Sequence, residues 1–373
     1  MTRREWLALV PAAVLPVRAA PVSPVAVAKV ASYREDPTPV LRTMFDRIGG
    51  IEGLMRNKTV TVKLNLTGNP GSRIGGRPPG VTHFTHPRLV EAAVHLFGRA
   101  GAKRVRLVES AWATGGPLEE FMLHSGWNVR RIQNAAPLVE FENTNNRGSY
   151  REYARVKVPG GGEMFAAYDL NRAYVDTDVF VSMAKLKEHE TCGVTLALKN
   201  CFGNTPASIY GDDAGADEPN EKPGKGRVEA IHFGKRAPAK SAPQEIHPGR
   251  YTEPGDRVSR VVAELCAARP IDLSIIDGIE TVTGGEGPWI KGLRVVAPGV
   301  LIAGRNPVST DAVSTAIMGY DPRAPKGVKP FATCENTLLL AEKLSIGSAD
   351  LSRIEIAGIP LEDARFPFEA AAL

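Results

Sequence analysis

Thr59-Val60-Thr61-Val62-Lys63-Leu64-Asn65-Leu66 alternates its side chains with a period of two, and glycine-rich residues 68–80 follow it. Such alternation is the mark of a β-strand with two different faces. Val60, Val62, Leu64 and Leu66 share one face, while Lys63 and Asn65 occupy the other. Next, Thr85-His86-Pro87 opens a helical pattern that runs to Arg99, with proline near the first helical position and Gly101 just past the end. Residues 103–108 then read as a second strand. Strand, helix, strand in this order builds a parallel pair.

The same rhythm extends in both directions. Residues 25–30, 178–182, 271–276 and 300–303 read as further strands; residues 39–55 and 257–268 read as helices, and another helix starts at Asn306-Pro307 and ends near Gly319. The expected fold is a mainly parallel, doubly wound α/β sheet with helices on both faces, in one domain from residue 20 to 373. Residues 204–256 break the rhythm. They are rich in Gly, Pro and charge and far longer than an ordinary connection, so they read as a lid, an insertion or a flap.

Composition narrows the function classes. With 43% hydrophobic and 23% charged residues the chain is an ordinary globular one. Its charge is +5, and removing residues 1–19, with Arg3, Arg4 and Arg18 against Glu5, leaves +3. Neither value, nor any Lys/Arg stripe interleaved with aromatics, supports a nucleic-acid partner. Cys192, Cys201, Cys266 and Cys334 form no C-x-x-C run, so no intrinsic iron–sulfur cluster is expected. Cys192 and Cys201 are either a disulfide of an oxidising compartment or two small buried residues.

Thr2-Arg3-Arg4-Glu5-Trp6-Leu7, an apolar run to Val17, and the small residues of Val17-Arg18-Ala19 resemble a twin-arginine export signal. Residues 1–19 are therefore expected to be a signal peptide, with the remainder exported to the periplasm. The alternative, an amphipathic first helix, would be broken by Pro11 and Pro16. The apolar run, at roughly eleven residues, is too short for a span that needs about twenty. No stable membrane insertion is expected after signal removal.

Ligands of open parallel sheets bind outside the carboxyl ends of the strands, so the polar residues there are the candidates. Lys63 and Asn65 can hold an oxyanion. The following glycine-rich loop has neither Rossmann nor P-loop spacing and is equally readable as a surface turn. Glu109 with Ser110, and Asp277 with Gly278, place carboxylates at the same rim, where an Asp-Gly is also an ordinary turn former. Lys185-Leu186-Lys187-Glu188-His189 follows a strand directly. If it stays extended, Lys185, Lys187 and His189 point to one side. Lys199 sits in an otherwise apolar run, where an ammonium must find a partner, lose its proton or snorkel to water. His83 and His86, spaced H-x-x-H, read as helix-start packing rather than a metal pair.

At these residues the chain resembles the family known as domain of unknown function 362. The resemblance runs through Thr85-His86-Pro87, Lys185-Leu186-Lys187-Glu188-His189, Gly193-Val194-Thr195 and Leu198-Lys199-Asn200-Cys201-Phe202-Gly203. It continues in Ile276-Asp277-Gly278-Ile279, Gly285-Glu286-Gly287-Pro288 and residues 303–312. It implies no settled activity. Some members carry a ferredoxin-like segment that is absent here, and Asn306 stands where relatives often have Asp, while Asp311 is retained. Asp277, Glu286 and Asp311 are three carboxylates that could bind a divalent metal ion.

The leading expectation is an exported enzyme for a small carboxylated or phosphorylated substrate. Lys199, His189 and Asp277 are the candidate catalytic groups, and Lys63, Asn65, Glu109, Lys185, Lys187 and Asn200 the candidate substrate-binding groups. The alternatives are a non-catalytic binding protein for an anionic metabolite and an accessory protein to a redox enzyme.

Overall fold

The structure is a computed structural model describing residues 20–215 and 220–371; the expected export signal, residues 1–19, lies outside the described residues. Among the described residues, eight strands form one sheet: β1 (Val25–Lys29), β2 (Thr59–Lys63), β3 (Arg104–Glu109), β4 (Val139–Asn143), β5 (Val179–Lys185), β6 (Leu273–Gly278), β7 (Val300–Gly304) and β8 (Ile356–Gly358). Their spatial order is β8-β1-β7-β6-β5-β2-β3-β4. All run in one direction except β7, which is antiparallel to both neighbours, β1 and β6. The expected mainly parallel α/β sheet is what forms.

Two cores sandwich the sheet, and the period-two alternation decides which side chain joins which. Val60, Val62, Leu64 and Leu66 pack with α1 (Thr38–Arg47) and α2 (Pro87–Arg99) through Leu41, Phe45, Val90 and Phe97. Along β5, Val179, Val181 and Met183 join that core. Phe180 and Ala184 join the other, with Val261 and Leu265 of α4 (Pro254–Ala268) and Val308 and Val313 of α5 (Pro307–Ile317). Helix α3 (Leu196–Asn200) lies on this second side. Burying one such Val, Leu or Phe is worth about 1.5–3 kcal/mol, so each helix is held mainly by its apolar stripe.

Three boundaries differ from the sequence reading. The helix expected over 39–55 is interrupted after α1 by Gly49 and Gly50, both at positive φ, before a short turn Glu52–Met55. The strand expected over 178–182 runs on to Lys185. Within 204–256 lie two short helical pieces, Ala207–Tyr210 and a π-helical turn Val228–His232. Arg257 of α4 donates to the Ile231 carbonyl at 3.0 Å and ties that turn to the scaffold.

The winding positions the site. From β2 the chain steps outward to β3 and β4, then returns to the other side of β2 as β5 and moves away through β6. The direction reverses between β2 and β5, and a crevice opens where the crossovers diverge.

Candidate functional site

A cavity of about 340 Å³ stands at that reversal. Lys63 and Asn65 reach it from the end of β2, Glu109 from the end of β3, and His189 from a two-residue ribbon strand (Glu188–His189) after β5. Lys199 and Asn200 come from α3. Residues 225–232 close one side with Lys225, Arg227 and His232.

Lys63 is buried and pairs with Glu109 at 2.5 Å. Its ammonium also donates to the Leu64 carbonyl at 2.6 Å and to Asn200 Oδ1 at 3.2 Å. Glu109 accepts from the Leu66 and Ser110 backbone N–H groups at 2.7 and 2.9 Å. Gly203 permits this crossing, because a Cβ there would sit 2.9 Å from Lys63 Nζ. That close approach gives the Phe202-Gly203 pair of the motif a physical role.

Lys187 has no carboxylate partner among the described residues. Its ammonium donates to the carbonyls of His83 and Glu286, each at 2.9 Å, and burial pushes its pKa down to about 7. Lys199 makes no hydrogen bond or ion pair among the described residues; its ammonium lies 4.2 Å from the centre of the Phe202 ring. Burial lowers it to about 8. Arg227 donates to the Thr205 carbonyl at 2.7 Å and to Asn145 Oδ1 at 3.1 Å, and burial lowers it to about 10. His189 is held well below its ordinary value by burial and then by Lys199, and His232 is lowered to about 4 by burial and Lys199, so both imidazoles are neutral.

The second carboxylate is Glu286. It accepts from Trp289 Nε1 at 2.9 Å and from the Glu190 N–H at 3.0 Å, with His189 Nδ1 3.9 Å away. Three buried lysines and the half-buried Arg227 thus meet two carboxylates already supplied with donors. Such a site has spare positive charge in a poorly hydrated wall, the situation in which a ligand oxyanion replaces lost water.

Lys185 and Asp277 do not line this cavity. They are direct neighbours in the register of β5 and β6 and form a closed pair, 3.2 Å apart and fully buried. Tyr33 donates to Asp277 at 2.5 Å, the His86 N–H donates to the same carboxylate at 2.9 Å, and Lys185 Nζ donates to Tyr33 and Gly80. Lys187 and His189 thus line the cavity while Lys185, two residues earlier, does not, although both lysines reach carbonyls of the 80–83 loop. The parallel strand beside Lys185 presents an Asp that neutralises it, which leaves Asp277 without a free oxygen for acid–base work. His86 caps α2 and stacks on Tyr33 at 3.6 Å, so its role is the expected helix-start packing.

The three carboxylates read as a metal site do not converge. Asp311 is buried under α3, where it accepts from the Ala197 and Leu198 N–H groups, each at 2.9 Å. Leu196 at the start of α3 has φ +44°, a left-handed conformation unusual for leucine, and the capping carboxylate holds the turn that follows it. With Asp277 and Glu286 engaged as described, no group of three His, Cys, Asp or Glu among the described residues could hold a metal ion. The four cysteines are free and buried, so Cys192 and Cys201 are unpaired.

The sequence reading missed Lys225, Arg227 and His232, which lie in the irregular segment, and the aromatic lining of Trp112, Phe202 and Trp289. Only Phe202 had a signal, as the neighbour of Gly203 in a motif.

Fold and site together define an α/β protein with a cavity lined by cationic side chains at the switch point of a mainly parallel sheet. The chain belongs to the family described as domain of unknown function (DUF362), whose pattern matches residues 60–316. It is 26% identical over 286 residues to a thylakoid-associated protein of Synechocystis sp., covering 76% of this chain and 70% of that one. Among solved structures it is similar to the lactate racemase apoprotein of Thermoanaerobacterium thermosaccharolyticum, with 13% identity and a TM-score of 0.35. That match covers 76% of this chain and spans about half, 54%, of the racemase.

Proposed function

We propose that the cavity is the active site of an enzyme acting on a small carboxylated or phosphorylated substrate. The observation that carries this reading is the convergence of Lys63, Lys187, Lys199 and Arg227 on one cavity with two carboxylates between them. Arg227, fixed by hydrogen bonds to Thr205 and Asn145 and with further guanidinium donors to spare, holds the oxyanion with Lys199; the three donors of Lys63 are taken by Glu109, the Leu64 carbonyl and Asn200, so Lys63 braces the floor of the cavity. Lys187 and Lys199, lowered to about 7 and 8, exchange protons near neutrality, which suits an amine to general acid–base or nucleophilic work. His189 and Asn200 border them, His189 as a neutral donor or acceptor. The role first assigned to Asp277 passes to the lysines.

The test is calorimetry with inorganic phosphate, sulfate and acetate on the protein and on Lys199→Met and Arg227→Met. Binding that weakens at least tenfold in either variant supports the reading; failure of all three anions to bind at millimolar concentration refutes it. Turnover of a panel of small organic acids and phosphate esters, followed by NMR and abolished in Lys199→Met, separates an enzyme from a simple binding protein. We also propose that residues 1–19 direct export to the periplasm. An intact N-terminus on protein recovered from the cytoplasm alone would contradict this.

A further inference from the structure

The cavity has a second feature that anion capture does not require. Trp112 and Trp289 line it and remain 45% and 51% exposed. A large ring left half in water forfeits burial that a core position would provide, and such exposed apolar surface marks recognition.

Neither ring is loosely placed. Trp112 sits in the turn after β3, beside Ala113 at φ +51°, and its ring packs on the backbone of Gly226, where a Cβ would come within 2.8 Å. Asn143 and Asn145 pin that turn, donating to the Thr114 carbonyl at 3.0 and 2.8 Å. Trp289 donates from Nε1 to Glu286, and its ring lies on Gly68 and Gly287 with no room for a side chain at either. The two indoles arrive from opposite sides. The Trp112 turn follows β3, the Trp289 loop lies beyond β6, and these strands flank the β5–β2 pair above which the cavity opens.

We propose that the ligand is an aromatic anion, an aryl carboxylate or aryl phosphate, with its charged group at Lys199 and Arg227 and its ring against Trp112 and Trp289. This rests on the anion-binding reading above and adds the class of substrate. Rigid, half-exposed indoles are preorganised ring-binding surfaces, because their ordering precedes the ligand's arrival. A cavity of about 340 Å³ is at the small end of ligand pockets and accommodates one ring with its head group.

The experiment compares probes with matched charge and different tails by calorimetry: phenyl phosphate against methyl phosphate, and benzoate against acetate. Stacking against an indole contributes about a tenfold preference for the aryl member of a pair. Trp112→Leu, which keeps apolar bulk and is checked for an unchanged melting midpoint, should reduce the preference to about threefold or less and leave the methyl partner's affinity as it was; Trp289→Leu should reduce the preference likewise, read only as the ratio within each pair because it also removes a donor from Glu286. Equal affinities within both pairs overturn the aromatic class and leave the anion site standing. Failure of all four probes to bind overturns both. A shift of tryptophan emission with phosphatidylglycerol vesicles, without one for phenyl phosphate or benzoate, assigns the indoles to a lipid surface and also overturns the inference.

Discussion

Sulfate affinity between pH 6 and pH 9 tests the cavity lysines directly, because sulfate keeps its charge throughout this range. Lys187 loses its proton near 7 and Lys199 near 8, in each case because burial disfavours the ammonium. A cation that has lost its proton no longer attracts sulfate, so affinity falls as pH rises. If only Lys199 need be charged, the competent fraction drops from nearly all at pH 6 to about one tenth at pH 9, weakening binding about tenfold. If both must be charged, the competent fraction falls to about one in a thousand. Calorimetric titrations at constant ionic strength measure the slope, and Lys199→Met should remove its upper part. A dissociation constant that moves less than about twofold over the whole range, or a Lys199→Met protein with an unchanged slope above pH 8, refutes the assignment.

In the ligand-free protein Lys187 and Lys199 bind protons less readily folded than unfolded, so between pH 8 and 9 each contributes about 1 kcal/mol of stability per unit as pH rises, against the raised thiols of Cys192, Cys266 and Cys334, which act in the other direction; urea melts at pH 8 and 9 of the protein and of Lys199→Met isolate the Lys199 share as their difference. Tyr33→Phe removes a hydroxyl that donates to Asp277 and accepts from Lys185, and should cost about 1–3 kcal/mol in urea unfolding while sulfate affinity is unchanged. Asp311→Ala frees the Ala197 and Leu198 N–H groups in the buried interior, and should cost about as much and also weaken sulfate binding, since α3 carries Lys199.

The sheet was legible because its signals are local. Alternation along 59–66 assigns each side chain to a face, and proline and glycine mark both ends of α2. Gly49 and Gly50 were equally visible, yet a stripe continuing through Met55 hides the break between two short helices. For the site, Lys63, Asn65, Glu109, Lys187, His189, Lys199, Asn200 and Glu286 were found because strand ends and a motif concentrate them. Lys185 and Asp277 were misplaced because strand register is a long-range property; 92 residues separate two side chains that stand side by side. Arg227 and His232 lie where no period exists to read, and long-range anchoring of their segment, by Arg257, Asn145 and Thr205 among others, brings them to the cavity.

Strand β1 pairs with β7 and β8 and with no other strand of the sheet. On a ribosome, Val25–Lys29 therefore emerges some 270 residues before Val300–Gly304, its first partner. At about 5–20 residues per second this apolar strand waits roughly 14 to 54 seconds with both edges open. Synthesis thus has a built-in delay before the sheet can close. A nascent chain halted before residue 300 carries a strand covered on one face by α1 but with no strand neighbour at either edge, so chaperone capture or aggregation should concentrate on chains of that length.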